Sequence, residues 1–195
     1  VNVILQKSDS SGVRVETGEN LIQGIKTTVN DQGLLEISND NTCDWARDYD
    51  NLLNVYVYYN KIDSISYRSI GNITNIDTLR ADSLNIDVFE GAGDIDLDIN
   101  VDKLFCAIHN GTADINLAGF AGVSYVYSAS FGLIDNSNLS CSHIYANNRS
   151  SNNIFLNANN TLEVIIENIG DIYYRGDPVN IQLNKLGSGN LIKMN

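Results

Sequence analysis

Apolar and polar positions alternate with a period of two along most of the chain, and the alternation restarts at nearly equal intervals. A polar turn residue, usually Asn or Asp and often after a Gly, precedes an apolar residue that opens a short strand. The instances include Gly71-Asn72-Ile73, Gly93-Asp94-Ile95, Asp114-Ile115, Asn153-Ile154, Gly170-Asp171-Ile172 and Gly189-Asn190-Leu191. With Ile134 included, the anchors fall at 73, 95, 115, 134, 154, 172 and 191, in steps of 22, 20, 19, 20, 18 and 19 residues. A fixed period of this size marks a solenoid in which each repeat is one coil. No segment sustains a 3.6-residue apolar period, so almost no helix is expected.

Each coil is expected to carry two or more short strands. One follows the Asx turn, as in Ile95-Leu97-Ile99. Another lies about ten residues upstream of the next turn: Leu84-Ile86-Val88, Leu104-Cys106-Ile108, Val123-Tyr125-Tyr127, Leu162-Val164-Ile166 and Ile181-Leu183. Residues two apart share one face of a strand. The fold expected is therefore all-β, a single-stranded, right-handed parallel β-helix of about 20 residues per coil. It forms one domain over residues 1–195, with wider, irregular strands in 1–60 and regular coils in 61–195. The N-terminal strands are expected to cap one end, because the end of a stack is an unpaired edge.

The Asx residues 72, 94, 114, 153, 171 and 190 should stack at one corner. Their side chains can bond a nearby backbone N–H, and the adjacent glycines relieve crowding there. A calcium-binding row is disfavoured, because three of the six are neutral Asn and stacked carboxylates repel. Asp44, Asp48 and Asp50 around Trp45 lack the spacing of a calcium loop and read as a solvated polar loop. No metal and no cofactor is expected.

The position after each anchor points outward and reads Thr74, Asp96, Asn116, Asp135, Phe155, Tyr173, Ile192 down the stack. Its apolar end, Phe155, Tyr173 and Ile192, is the candidate contact patch for a glycan or for another subunit.

Composition narrows the partners. The 195 residues carry a net charge of -12 with a pI near 4.3. That disfavours nucleic acid and adsorption to anionic lipid. No apolar run reaches the length of a membrane helix, so any membrane attachment is expected through an anchor outside this chain. The chain opens at Val1 without a leader pattern, as expected where an export signal is absent or removed. There are 28 asparagines and one proline, Pro178, a bias that suits turns and side-chain ladders. Cys43, Cys106 and Cys141 fit neither a disulfide framework nor a zinc pattern.

Catalytic constellations do not stand out. His109 and His143 lie in different coils, and no Ser or Cys arrangement accompanies them. Asp96 and Asp98 share a face, with Asp87 and Asp102 as neighbours to consider. That leaves a polysaccharide lyase or hydrolase, pectinase-like, as the enzymatic alternative. Arg175-Gly176-Asp177 spells an integrin-type tripeptide and is read as coincidence.

The closing stretch, Glu163-Val164-Ile165-Ile166-Glu167-Asn168-Ile169-Gly170-Asp171-Ile172-Tyr173-Tyr174-Arg175-Gly176-Asp177-Pro178 followed by Leu186-Gly187-Ser188-Gly189-Asn190-Leu191-Ile192, resembles the bacterial head GIN domain. That family groups putative auto-transporter adhesins of Bacteroidetes envelope proteins. Gly12-Val13-Arg14-Val15-Glu16, Leu34-Leu35-Glu36-Ile37, Leu53 to Tyr59 and Gly91-Ala92-Gly93-Asp94-Ile95-Asp96-Leu97 resemble its earlier segments. Asn110-Gly111-Thr112-Ala113 and Phe131-Gly132-Leu133 depart from its double-glycine pattern. The resemblance implies a β-helix in an exported, envelope-associated protein, often a lipoprotein, and it brings no catalytic residues. The function expected is a non-catalytic, adhesin-like binding module for a glycan or extracellular protein. A structural domain that homo-oligomerises through its C-terminal patch is the alternative.

Overall fold

The computed structural model describes residues 1–41 and 53–194; the Asp44/Trp45/Asp48/Asp50 loop and Cys43 lie outside them. About two thirds of the chain is strand, stacked as parallel coils roughly 20 residues apart. The elements are β1 (Asn2–Lys7), β2 (Gly12–Glu16), a 3-10 turn (Ile22–Gly24), β3 (Ile25–Val29), β4 (Leu35–Asn39), β5 (Asn54–Tyr59), β6 (Ser64–Ser69) and β7 (Ile73–Asn75). They continue with β8 (Leu79–Gly91), β9 (Asp94–Ile108), β10 (Asp114–Ser128), β11 (Ile134–Asn148), β12 (Ile154–Ile166), β13 (Ile172–Arg175), β14 (Asn180–Lys185) and β15 (Leu191–Lys193).

The period seen in the sequence is the coil repeat itself. Ile73 pairs with Ile95, Ile95 with Ile115, Ile115 with Ile134, Ile134 with Ile154, Ile154 with Ile172 and Ile172 with Leu191. The anchors thus form one inward column, and those from Ile95 to Ile172 are fully buried. A buried Ile or Leu contributes roughly 1.5–3 kcal/mol, so repeating it in every coil builds a continuous core from coils that could not fold singly.

The middle coils are not pairs of short strands as expected. Each is one long strand bent around a corner: β9 runs 15 residues, its first part pairing with β7 and its second with β8. Pairing of β9 with β10 continues through the bend, whereas that of β11 with β12 is interrupted there by register shifts between Asp135 and His143. The result is two walls. The first wall follows the order β2-β5-β1-β7-β9-β10-β11-β12-β13-β15. The second stacks β6, β8, β9, β10, β11, β12 and β14.

The N-terminal strands enter the stack more deeply than expected. β1 lies between β5 and β7 and is parallel to both, and β2 closes that edge antiparallel to β5. The β3–β4 pair forms a small separate sheet, and its Ile25, Leu35 and Ile37 pack on the core.

The Asx corner is a ladder between coils rather than a series of local turns. The Asn72 side-chain oxygen accepts the N–H of Asp94 at 3.1 Å, and Asn153 accepts that of Asp171 at 3.0 Å. Asp171 accepts that of Asn190 at 2.7 Å, and Asp114 accepts the N–H of Leu133, which replaces Asx in its coil, also at 2.7 Å. Each oxygen reaches the next coil because stacked backbones lie about 4.8 Å apart, within one short side chain's span.

Candidate functional site

The outward column expected on the first wall is present in register: Thr74, Asp96, Asn116, Asp135, Phe155, Tyr173 and Ile192 pair in that order. Phe155 and Tyr173 stack with ring centroids 5.0 Å apart and planes 14° from parallel. The Tyr173 hydroxyl lies 3.4 Å from Asp171 Oδ2. All three candidate residues are half-buried. The rings cover each other's faces, so this patch presents ring edges to solvent.

A larger aromatic array lies on the second wall, where the sequence reading did not place one. Phe105 pairs with Tyr125 and Tyr125 with Tyr145. Their rings stack at 4.9 and 5.2 Å, within 9° and 17° of parallel. Phe105 and Tyr125 are 39% and 42% exposed, a large fraction for rings that could have been placed inside. Val123, Tyr125 and Tyr127 do share a face, but it is the outer one. Ser124, Val126 and Ser128 point inward instead, registered with buried Leu104, Cys106 and Ile108. The neighbouring coils set this phase, and it buries the Ser124 and Ser128 side chains inside the coils. Propagating the repeat by 20 residues from Tyr125 to 105 and 145 is the signal that would have found the column.

Beside this ladder, His109 stacks on Phe89 at 4.8 Å and meets Tyr127 at 5.7 Å. Its Nε2 lies 2.8 Å from Asp87 Oδ1. Arg68 covers the other face of Phe89 at 4.4 Å. Arg149 pairs with Glu167 at 3.2 Å and approaches the Tyr127 hydroxyl at 3.4 Å. These contacts satisfy one another as a surface ladder. The Phe105–Tyr125–Tyr145 column, with Asp87, Glu163, Ile165 and Leu183, lines an open groove of about 590 Å³.

A second, shallow groove of about 470 Å³ runs along the first wall over Asp96, Asp98, Asn116, Asp135 and Asn138. Asn116 Nδ2 donates to Asp96 Oδ1 at 2.7 Å, and the Thr78 hydroxyl lies 3.2 Å from Asp98 Oδ2. Asp87 is on the other wall and does not join this group. The residues lining this groove are carboxylates, amides and small apolar groups. None of them is a cationic side chain. Among the described residues, no group of three or more His, Cys, Asp or Glu gathers to hold a metal ion. Cys106 and Cys141 are buried inside the coils, and burial pushes both thiols up to about 12, away from nucleophilic use. In the Arg175-Gly176-Asp177 tripeptide, the Asp177 carboxylate is held by Lys193 at 2.6 Å, which lowers its pKa.

A stacked parallel β-solenoid with aromatic outer columns defines a repeat protein of the solenoid class. The chain belongs to the family described as "putative auto-transporter adhesin, head GIN domain", whose model matches residues 1–178. A solved structure named as a putative adhesin from Bacteroides fragilis NCTC 9343 is similar in fold, with TM-score 0.88 and 22% identity over 99% of this chain and 88% of that one. A second, named as a putative lipid binding protein from Parabacteroides distasonis ATCC 8503, has TM-score 0.76 and 20% identity over 100% of this chain and 89% of that one. A third, named as a putative adhesin from Parabacteroides merdae ATCC 43184, has TM-score 0.69 and 17% identity over 100% and 88%. No curated protein matches the chain. No helix among the described residues is long and apolar enough to cross a membrane.

Proposed function

We propose that this domain is a non-catalytic, adhesin-like recognition module of the cell envelope or surface. It contacts an extracellular glycan or protein through an outer wall of the solenoid. The exposed Phe105–Tyr125–Tyr145 column above its groove is the observation that carries the reading. Tyr and Phe supply a large contact area at a low cost in rotamer freedom, which is why they concentrate in recognition surfaces. Because the rings stack on one another, only the outer faces at the two ends of the column are available for a sugar to stack on. Along its middle the column offers ring edges and the Tyr125 hydroxyl, a surface suited to a protein groove or to sugar hydroxyls. Phe155, Tyr173 and Ile192 form a smaller contact surface of the same kind on the first wall. Export, with attachment through a lipid anchor outside this chain, fits the family's envelope setting.

The test is binding of labelled protein to arrays of glycans and extracellular-matrix proteins, compared with Tyr125→Ala/Tyr145→Ala and Phe155→Ala/Tyr173→Ala. A hit lost in the first variant places the site on the second wall. A hit lost only in the second variant moves it to the first wall. A hit that survives both variants, or a blank array, defeats this reading.

A further inference from the structure

The groove on the second wall runs across the coils, between two outward columns held in register. One column reads Asn85, Phe105, Tyr125, Tyr145, Glu163 and Gln182. The other runs from Asp87 through Ala107, Tyr127 and Asn147 to Ile165 and Asn184. Both columns line the groove of about 590 Å³. Its floor is the backbone at Cys106, Val126, Ala146 and Val164, where each strand pairs with a coil on either side. Those backbone groups are spent, so strand addition is closed to a ligand here and side chains must do the recognising.

The charges in the groove select its occupant. The lining holds two carboxylates, Asp87 and Glu163, and no Lys, Arg or His. Glu163 is half-buried, and its carboxylate has no ion-pair or hydrogen-bond partner among the described residues. A carboxylate partly withdrawn from water and left unpaired favours a cation beside it. Stacking on Tyr125 uses one face of Tyr145, and Glu163 follows in the column on the other side. A cation there meets both a carboxylate and an aromatic ring. At the far end, Asp87 Oδ2 accepts from Asn85 Nδ2 at 2.5 Å, and its Oδ1 lies 2.8 Å from His109 Nε2. Those bonds share its charge, so Glu163 is the stronger attractor of the two. Lys103 and His143 stand one column further out, and Arg149 is tied to Glu167, so none of these three lines the groove. Along the middle the ring faces are spent on one another, which disfavours a sugar and leaves edges suited to aliphatic side chains.

We propose that this groove takes an extended, cationic segment of a partner protein, laid across the coils with one Lys or Arg at Glu163 and a second at Asp87. The two carboxylates are four coil spacings of about 4.8 Å apart and offset by two residues, or about 20 Å in all. An extended chain rises about 3.4 Å per residue, so its two cations stand about six residues apart and share one face. Apolar side chains between them on that face cover Phe105, Tyr125 and Tyr145. This names the partner class for the aromatic groove and rests on the recognition role proposed for it.

The probe is a fluorescently labelled peptide, Gly-Lys-Ser-Leu-Ser-Leu-Ser-Lys-Gly, whose lysines and leucines fall on one face when it is extended. One control carries Glu in place of both Lys, and a second has the same composition with the two Lys adjacent. Fluorescence anisotropy with the intact chain is expected to show the probe binding at least about tenfold more tightly than the Glu control and about threefold more tightly than the adjacent-Lys control. Raising salt from about 50 to about 500 mM should weaken it several-fold, as charge screening requires. Glu163→Gln, which keeps the side chain's size, is expected to weaken binding about fivefold or more, and Asp87→Asn by less. Glu36→Gln changes the net charge equally at an exposed position of β4 and should leave binding unchanged. Equal affinity for the three peptides, no binding at about 1 mM peptide, or binding unchanged in Glu163→Gln overturns the proposal. A glycan or protein that is lost in Tyr125→Ala/Tyr145→Ala but binds Glu163→Gln as well as the parent overturns this inference alone and leaves the groove's recognition role standing.

Discussion

Replacing Gly170 with alanine tests whether the Asx corner depends on close approach of neighbouring coils. Gly170 is buried immediately before Asp171, and its N–H donates to Ser150 O at 3.2 Å. A Cβ at this position would stand 2.1 Å from Asn152 O and 2.8 Å from Asn148 Nδ2. The nearest atom is a backbone carbonyl of the preceding coil, so no side-chain rotation relieves the contact. The corner would have to move by roughly 1 Å to restore van der Waals distance. That movement strains the bonds from the Asp171 N–H to Asn153 Oδ1 and from the Ile154 N–H to Asp171 O, each 3.0 Å. Overpacking costs about 1–3 kcal/mol and each weakened bond up to about 1 kcal/mol. Reduced freedom of the unfolded chain returns about 0.4–1 kcal/mol. The expected result is a net loss of about 2–3 kcal/mol, or a fall in Tm of about 5–10 °C for a chain of this size. Gly12 is the control, since nothing lies within 4 Å of a Cβ built there. Gly12→Ala should therefore stay within about 1 kcal/mol of the parent. Denaturant melts followed by circular dichroism measure both variants. A Gly170→Ala protein within about 0.5 kcal/mol of the Gly12→Ala protein would refute the reasoning.

Further outcomes follow from the same packing. Asn153→Ala removes the acceptor for the Asp171 N–H and should cost about 0.5–2 kcal/mol in a denaturant melt, whereas Asn153→Asp keeps the oxygen and should cost less. Ile134→Ala empties a fully buried anchor and should cost about 2–5 kcal/mol, well above Ile192→Ala at a half-buried position. In a Cys43→Ser background, Cys106 and Cys141 should not react with a water-soluble disulfide reagent at pH 8 until the protein is denatured; prompt reaction in the native state would contradict their burial. Because folding raises both thiols from 9.0 to about 12, the protonated form is the one the fold favours. Their contribution is complete below pH 9 and is lost as pH climbs toward 12, so melts across that window should show falling stability that Cys106→Ala/Cys141→Ala reduces.

The sequence showed the coil because the information is local and repeated. Ile95, Ile115, Ile134, Ile154 and Ile172 each open an alternating segment after a turn residue, and stacking identical units places them in one column. The outward column through Phe155, Tyr173 and Ile192 followed for the same reason, being one residue along. Where alternation is ambiguous, the reading failed. Val123-Tyr125-Tyr127 is more apolar than Ser124-Val126-Ser128, yet the aromatic set faces out, because Leu104-Cys106-Ile108 and Ile144-Ala146-Asn148 on either side fix the register.

The chain's own pattern therefore determined the period, the parallel stack, the buried anchors and the family, all of which depend on contacts between equivalent positions of neighbouring repeats. Tertiary structure decided the rest. It set β1 between β5 and β7, carried the long strands around their corners, built the second-wall ladder of Phe105, Tyr125 and Tyr145, and stacked β14 on β12. Each of these depends on which strand comes to lie beside which, and side-chain alternation within a strand is the same whatever neighbour it meets.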